Sequence, residues 1–367
     1  MIAIGSIALI VSKVRSSAIE SKLYRNDTHT RAVLNEYLFA DIDTDDVNTH
    51  RAEFNRRLQP YLVQLENGLN IANASGKNFR KKSLKRVMLK LTTEVIGETL
   101  VRLTRAFEYF GFVDETNKSL RSDSWWIRAK GSKNAGLMMN ESSLPYLEKC
   151  LDDENDDVRT EAAQAMLDIA GVEILGPILM RLKEMTPWMQ VRLSRSILAF
   201  GEYSVAHLVT AMQSKYPKIQ GFCVEMLGIL GDIKATPTLL EYIDYSVRDV
   251  KHKSLIALGK IGDARCIPVI QRFLYSDDEQ LRVDAAKAAG NLATPSMAYD
   301  LYWLLVKDTL KVKFAAAEAL ARSGDLGIKS LTYALSLDDN DVRMIAMQFL
   351  HEAGIPVDAA SITEGEV

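Results

Sequence analysis

A fixed period governs most of this chain. From about residue 112 onward one phrase recurs: an apolar residue, a basic or polar residue, then an Ala-rich stretch ending in Gly. The copies are WIRAKGSKNAGLMM at 126, VRTEAAQAMLDIAG at 158, VRLSRSILAFG at 191, IQGFCVEMLGILGD at 219, VKHKSLIALGKIGD at 250, LRVDAAKAAGNLAT at 281, VKFAAAEALARSGD at 312 and VRMIAMQFLHEAG at 342. The residues that follow the leading apolar position are Arg128 (after Ile127), Arg159, Arg192, Gln220, Lys251, Arg282, Lys313 and Arg343, with separations of 31, 33, 28, 31, 31, 31 and 30. Self-similarity at that period is the signature of a repeat architecture. A single compact core rarely grows to 367 residues in any case.

Each phrase predicts one helix, because its small and apolar residues fall at i, i+3, i+4 and i+7. Ala285, Ala286 and Ala289 let a neighbouring helix come close. Gly231, Gly262 and Gly324 follow their helices, where a left-handed residue is favoured. Between the phrases lies a shorter apolar helix, as in LPYLEKCLD (144–152), TPTLLEYID (236–244) and IPVIQRFLY (267–275). Several open on Pro in the first turn: Pro145, Pro177, Pro237 and Pro268. The shorter helix is termed A and the phrase helix B. The A–B linkers DDENDD (152–157), SDDEQ (276–280) and DDND (338–341) are acidic and suit helix N-termini. An acidic turn followed by a basic residue entering each B helix permits a charge ladder between repeats. An A–B hairpin cannot bury its apolar faces alone, so the hairpins stack around a shared core. No stretch alternates with period 2, so no sheet is expected.

This pattern, over residues 112–354, resembles the HEAT-repeat family, particularly the short bacterial HEAT-like kind first associated with phycobilin lyases. The resemblance implies an all-α superhelix, a HEAT-repeat solenoid, whose B helices line the concave surface. The expected organisation is a short apolar segment at 1–25, an N-terminal helical region at 26–110, a solenoid of eight repeats at 111–356 and a tail at 357–367. The layout also resembles bacterial membrane-anchored HEAT proteins encoded beside envelope or exopolysaccharide glycosyltransferases, which implies a helper role in an envelope assembly.

The N-terminal third is off the repeat. Met1–Val11 is uncharged and mostly apolar, and Lys13, Arg15, Lys22 and Arg25 follow. A helix of that length spans about 17 Å against a hydrocarbon core of about 30 Å. It reads as a short anchor, an apolar helix packed on the body, or a cleaved signal. As an anchor it places the body in the cytoplasm, at the inner face of the cytoplasmic membrane. Helices are expected at 28–40, at 47–73 with a kink or break at Pro60, and as one or two segments across 79–110. Asp41, Asp43 and Asp45 have the spacing of a calcium loop, but Asp46 stands where Gly is needed and Ala52 where Glu is needed. Arg80, Lys81, Lys82, Lys85, Arg86 and Lys90 form a basic cluster, read as a solvated face or a contact for anionic headgroups.

Charge and motif content restrict the function classes. Residues 1–125 carry 19 Lys+Arg and 15 Asp+Glu, and the remainder 26 and 33, so the repeat region is acidic. Mixed signs on the B helices disfavour duplex DNA, and no aromatic residues interleave with the basic cluster, so nucleic acid is an unfavoured partner. Cys150, Cys223 and Cys266 are far apart and read as small apolar helix residues. The five histidines form no metal motif, and the iron-binding His-Glu pairs of the HEAT-type deoxyhypusine hydroxylases are represented here by His351–Glu352 alone. There is no phosphate loop and no nucleophile elbow. No cofactor, metal or catalytic residue is therefore assigned. The expectation is a non-catalytic scaffold for a protein partner, with a lyase-type or small-molecule handler and a soluble regulator as alternatives. The candidate partner-binding positions are Glu161, Phe222, Glu225, Lys253, Asp284, Lys287, Phe314 and Glu318. Phe222, Val283, Phe314 and Met344 read as core, or as an apolar strip if exposed together. Trp125 and Trp126 read as structural, and Trp188 as partly exposed.

Overall fold

The computed structural model describes residues 26–40, 51–71 and 77–356. Met1–Val11, the Asp41–Asp46 loop and the tail at 357–367 lie outside these. The described residues are helical throughout, with no strand among them. The chain divides into two compact units, residues 1–170 and 171–367.

The first unit runs α1 (26–38), α2 (Arg51–Gly68), α3 (Lys77–Leu91), α4 (Glu98–Tyr109), α5 (Phe112–Ser119), α6 (Trp125–Leu137), α7 (Leu144–Cys150) and α8 (Asp156–Ala170). Leu34, Leu38, Leu58, Leu65, Leu84, Met88, Leu103 and Phe107 form one buried cluster. The expected break at Pro60 does not occur, and α2 continues through it. Pro60 lies on the exposed side, where water can satisfy the carbonyl it leaves without a partner. Leu58, Leu62 and Leu65 on the other side are buried and hold the helix in place. The 79–110 region is two helices, broken before α4 at Gly97, whose φ is 60°. Arg102, buried on α4, donates from Nη1 to the carbonyls of Leu38 at 3.3 Å and Ala40 at 2.7 Å. A cation is thus fixed at the C-terminal end of α1, where the helix dipole favours it.

The second unit alternates A and B helices. The A helices are α9 (Leu175–Arg181), α11 (Ser204–Ala211), α13 (Thr236–Tyr245), α15 (Ile267–Phe273), α17 (Ala298–Lys307) and α19 (Gly324–Ala334). The B helices are α10 (Pro187–Phe200), α12 (Pro217–Leu230), α14 (Arg248–Ile261), α16 (Glu279–Leu292), α18 (Leu310–Arg322) and α20 (Asn340–Glu352). Gly231 and Gly262 end α12 and α14 in the left-handed region, as expected.

One register assignment needs correction. The N-cap stands four residues before the second residue of the phrase in α12, α14, α16, α18 and α20. In α10 the N-cap is Thr186, whose side chain accepts from the Met189 amide, so the equivalent residue is Gln190 and not Arg192. With Gln190 the separations become 31, 31, 30, 31, 31, 31 and 30. The Val-Arg pair at 191–192 imitates the phrase two residues late.

This register explains the packing. Eight residues after the ladder position stands a Gly in α6, α12, α14 and α16, and six residues after it an Ala in α8, α14, α16 and α18. A Cβ placed on Gly136 comes within 2.8 Å of the Ala165 Cα, on Gly228 within 2.7 Å of Ala257, on Gly259 within 2.6 Å of Ala288 and on Gly290 within 2.9 Å of Ala319. The B helices therefore touch backbone to backbone. From α12 to α20 the A helices approach one another less closely than the B helices do, so the B layer lies on the inside of the curvature there, whereas α9 and α11 are in closer contact than α10 and α12. Between α10 and α12 the same register supplies Leu198 and Met226, the contact is sparse, and Leu198 is left exposed.

The expected charge ladder is present at three rungs. Arg282 grips Asp308 through Nε at 2.7 Å and Nη2 at 2.8 Å, while its Nη1 donates to the carbonyls of Ser276 and Asp277 in its own linker. Arg128 repeats the pattern with Asp153 at 2.6 and 2.8 Å and with the carbonyls of Ser122 and Asp123. Lys313 reaches Asp339 at 2.8 Å. Gln220 carries no charge, and closes only the carbonyls of Met212 and Ser214. Burial alone would raise the Asp153 and Asp308 carboxyls, but the arginine hydrogen bonds outweigh it and hold both below the usual carboxylate range.

Gly259→Ala is expected to destabilise the fold by about 1–3 kcal/mol, because overpacking against Ala288 outweighs the gain of up to about 1 kcal/mol in helix propensity. Urea denaturation of the full chain measures it. The ladder predicts an acid-side loss of stability. A carboxylate whose folded pKa is depressed contributes fully above its unfolded value of about 3.9, and that contribution disappears as pH falls through the folded value. Arg282→Ala is expected to cost about 1.5–3 kcal/mol at neutral pH. It should also flatten the acid-side fall when denaturation midpoints are followed from about pH 7 down to about pH 2.

Candidate partner-binding face

The B helices of unit 2 turn one row of side chains to solvent, five residues after each ladder position: Arg195, Glu225, Ile256, Lys287, Glu318 and Gln348. Glu318 is half-buried and the others are exposed. A second row, nine residues after, includes exposed Ile229, Lys260 and Arg322. Both rows follow from the helical period, since positions 5 and 9 share a face. Glu225, Lys287 and Glu318 thus come together on one surface. Lys253 joins them from two residues after the ladder position, pairing with Glu225 at 3.6 Å and with Asp249 at 4.0 Å. Glu318 pairs with Arg322 at 2.7 Å. The rows alternate in sign and carry Ile229 and Ile256 among the charges, both exposed. These two apolar residues were missed in the sequence. The fixed period points to them once the register is placed on helix N-caps.

Two candidate partner-binding positions are buried. Phe222 is 2% exposed and belongs to the core of the stack. Asp284 is 4% exposed. Its carboxylate lies 2.7 Å from His252 Nδ1 and accepts from Gln280 Nε2 at 3.1 Å, which ties α14 to α16. His252 Nε2 lies 3.9 Å from Asp278, which Arg248 grips with two donors. The Arg248 hydrogen bonds hold the Asp278 carboxyl far below the usual range. Position 2 faces the next B helix, so a side chain there is covered unless it is long enough, like Lys253, to reach out. Of the possible apolar strip, Val283 is also buried, while Phe314 and Met344 are 38% and 55% exposed. Phe314 stacks edgewise on Phe349. Glu161, on α8 of unit 1, is half-buried.

Other residues singled out in the sequence also have definite places. Trp125 and Trp126 are 46% and 58% exposed, so they are surface residues and not the structural pair expected; Trp188 is exposed, as expected. The basic cluster is largely committed internally. Arg80 donates to the Asn70 carbonyl, and Arg86 forks onto Asp27. Lys81 and Lys85 both reach Glu115 and lie over the Phe112 ring. Burial pulls the Lys85 ammonium below its usual pKa. Lys82 and Lys90 remain exposed. Cys150, Cys223 and Cys266 are buried, and burial pushes their thiols up to about 11, 12 and 11, which leaves them unreactive. Among the described residues no three His, Cys, Asp or Glu side chains converge as a metal-holding group. A cleft of about 900 Å3 in unit 1 is lined by Leu100, Val101, Arg105, Glu108, Met139 and Asn140.

Residues 246–321 match the family model described as HEAT repeats, and residues 144–172 that described as HEAT repeat. These two stretches carry HEAT repeats. Solved HEAT-like and related structures resemble it at low identity. The complex of CpcE and CpcF of phycocyanin lyase from Nostoc sp. PCC7120 is 18% identical, covering 68% of this chain and 91% of that one, with a TM-score of 0.30. Importin beta is 11% identical, covering 95% of this chain and 55% of its own, with a TM-score of 0.44. Human deoxyhypusine hydroxylase is 16% identical over 74% of this chain and 90% of that one, with a TM-score of 0.29. At such identities and scores those activities do not transfer to this HEAT-repeat chain. No curated protein matches it.

Proposed function

We propose that this HEAT-repeat protein is a non-catalytic scaffold that holds a protein partner on the B-helix face of its second unit. The observation that carries the reading is the row Glu225, Ile256, Lys287 and Glu318, spaced by one repeat each, with one apolar residue set among charges of alternating sign. Such a mixture suits a protein partner better than nucleic acid, which selects a continuous basic groove. The partner's charges need to alternate in the opposite sense. We further propose that the protein works at a membrane, through Met1–Val11 and the two uncommitted lysines Lys82 and Lys90, in a bacterial envelope or polysaccharide assembly. The alternative, a lyase-type or small-molecule handler, draws only on the unit 1 cleft, which has no assigned reacting group.

The charge reversal Glu225→Lys, Lys287→Glu, Glu318→Lys leaves the core untouched and is expected to shift the melting temperature little. Affinity capture with the reversed and native proteins, followed by mass spectrometry, should show one partner lost at least tenfold with the reversal. An identical captured set would refute the B-face reading. The membrane proposal has its own measurement. Deleting residues 1–15 should move the protein from the pelleted to the soluble fraction of lysed cells; unchanged pelleting contradicts anchoring by that segment.

A further inference from the structure

The A–B linkers of unit 2 lie along one edge of that unit, where the ladder joins them, and they are of two kinds. The later linkers, at 276–278, 308–309 and 338–339, carry Asp277, Asp278, Asp308, Asp338 and Asp339, and the ladder cations Arg282 and Lys313 close onto two of these. The linkers at 213–216 and 245–247 follow the neutral rungs Gln190 and Gln220 and contain no carboxylate. Cation and acid are missing together. These linkers and the first helical turns beside them present rings, valines and lysines instead. Trp188, Val191, Tyr245 and Val247 are 56%, 61%, 90% and 49% exposed. Lys183, Lys215 and Lys218 are exposed and make no hydrogen bond or ion pair among the described residues. The Lys215 ammonium lies 5.2 Å from the centroid of the half-buried Tyr216 ring.

Register sets these groups side by side. Pro187 and Pro217 open α10 and α12, so Trp188 and Lys218 hold the same position in consecutive B helices, two residues before Gln190 and Gln220. Val191 lies one turn on from Trp188, on the same face. Tyr245 ends α13 and Val247 caps α14. At about 10 Å between packed helices, the three linkers span about 20 Å. Acids nearby are few. Arg248 grips Asp278, Arg272 pairs with Asp244, Asp249 lies 4.0 Å from Lys253, and Glu184 stands alone against three free lysines. Protein interfaces and lipid surfaces both take exposed rings, and the cation distinguishes them. Protein interfaces are depleted in Lys, whose ammonium is strongly hydrated. At a membrane, Trp and Tyr settle at headgroup level, and Lys beside them keeps its ammonium in water next to the phosphates. The unpaired cations of this edge are lysines. Valines give a base nothing to stack on, which disfavours single-stranded nucleic acid.

We infer that the edge of unit 2 formed by residues 183–191, 213–218 and 245–247 is a contact surface for an anionic lipid membrane: Trp188 and Tyr245 enter the interfacial layer, and Lys183, Lys215 and Lys218 meet the headgroup phosphates. The inference rests on the membrane reading above and deepens it, but it does not depend on Met1–Val11. An apolar anchor enters neutral and anionic bilayers alike, whereas this edge needs the negative charge.

The experiment is co-sedimentation of the full chain with vesicles of phosphatidylcholine alone and with vesicles of phosphatidylcholine and phosphatidylglycerol in equal parts. Tighter binding to the anionic vesicles is expected, falling at least about fivefold between low and high salt. A lysine close to an anionic surface contributes about fivefold, so Lys183→Gln, Lys215→Gln and Lys218→Gln together should weaken anionic binding at least about tenfold and leave binding to phosphatidylcholine as it was. Trp188→Ala should weaken anionic binding about fivefold by withdrawing a large ring from the interface. Tyr299→Ala with Lys329→Gln, an exposed ring and an exposed lysine on the A helices, should change nothing. Helical content and melting temperature check the fold of each variant. If Trp188→Ala does not fold, Tyr245→Ala, at a side chain 90% exposed, takes its place. Equal binding of the native chain to both kinds of vesicle overturns the inference, as does undiminished anionic binding by the folded lysine and Trp188 variants. If deleting residues 1–15 abolishes binding to both vesicles and the lysine variant changes nothing, the contact belongs to Met1–Val11, which overturns this edge and leaves the membrane reading standing. No binding to either vesicle also overturns the edge, while the pelleting of lysed cells still tests the Met1–Val11 anchor by itself. Tighter binding of soluble polyglutamate than of vesicles, undiminished in Trp188→Ala, overturns it in favour of an acidic protein segment.

Discussion

The architecture rests on how closely one B helix can approach the next. Two helices pack at 8–10 Å when side chains intervene, and closer only when the residues at the crossing are small. Here Gly at one register position meets Ala at another, and the backbones meet with no side chain between them. This contact repeats through α12, α14, α16 and α18 and sets the spacing of everything mounted on those helices. The ladder ions connect linkers, the solvent-facing row presents the charges, and both inherit their spacing from the Gly–Ala crossings.

The ladder and the crossings act on opposite ends of the same problem. Small residues bury little apolar area of their own, so the B layer gains its tightness at some cost in hydrophobic surface. The large side chains sit instead between A and B layers, where Leu239, Ile270, Leu301 and Leu331 are fully buried at successive repeats. The Arg and Lys of the ladder then satisfy linker carbonyls and carboxylates that would otherwise be left partly dry. Polar satisfaction, close packing and apolar burial are thereby divided among three sets of positions within one 31-residue unit.

Much of this was legible in the sequence because a repeat states each rule several times. The helices, the glycine ends of α12 and α14 and the three rungs of the charge ladder all follow from the repeated phrase and its acidic linkers. The failures have physical causes. Val191 and Arg192 imitate the phrase, and only the Thr186 cap reveals the two-residue slip. Asp284 reads as an exposed position and Phe222 as core or partner-binding, but position 2 faces the adjoining B helix, a direction that one helix in isolation does not define. Trp125 and Trp126 read as structural, yet both stand on the surface. In the candidate site, Glu225, Lys287 and Glu318 were readable as polar positions of one face, whereas Ile229 and Ile256 look like core residues until the register shows them on the same face. Partner identity has no local code in the chain, since complementarity belongs to two molecules.

The interruption of the Gly–Ala register at Leu198 and Met226 has a mechanical meaning. Three joints of the stack, from α12 to α18, lock bone on bone, and one joint, from α10 to α12, is cushioned by bulky side chains in sparse contact. The row from Glu225 to Glu318 is then a ruler of fixed gradations, while Arg195 stands beyond it, across the junction from α10 to α12 where side chains keep the B helices apart.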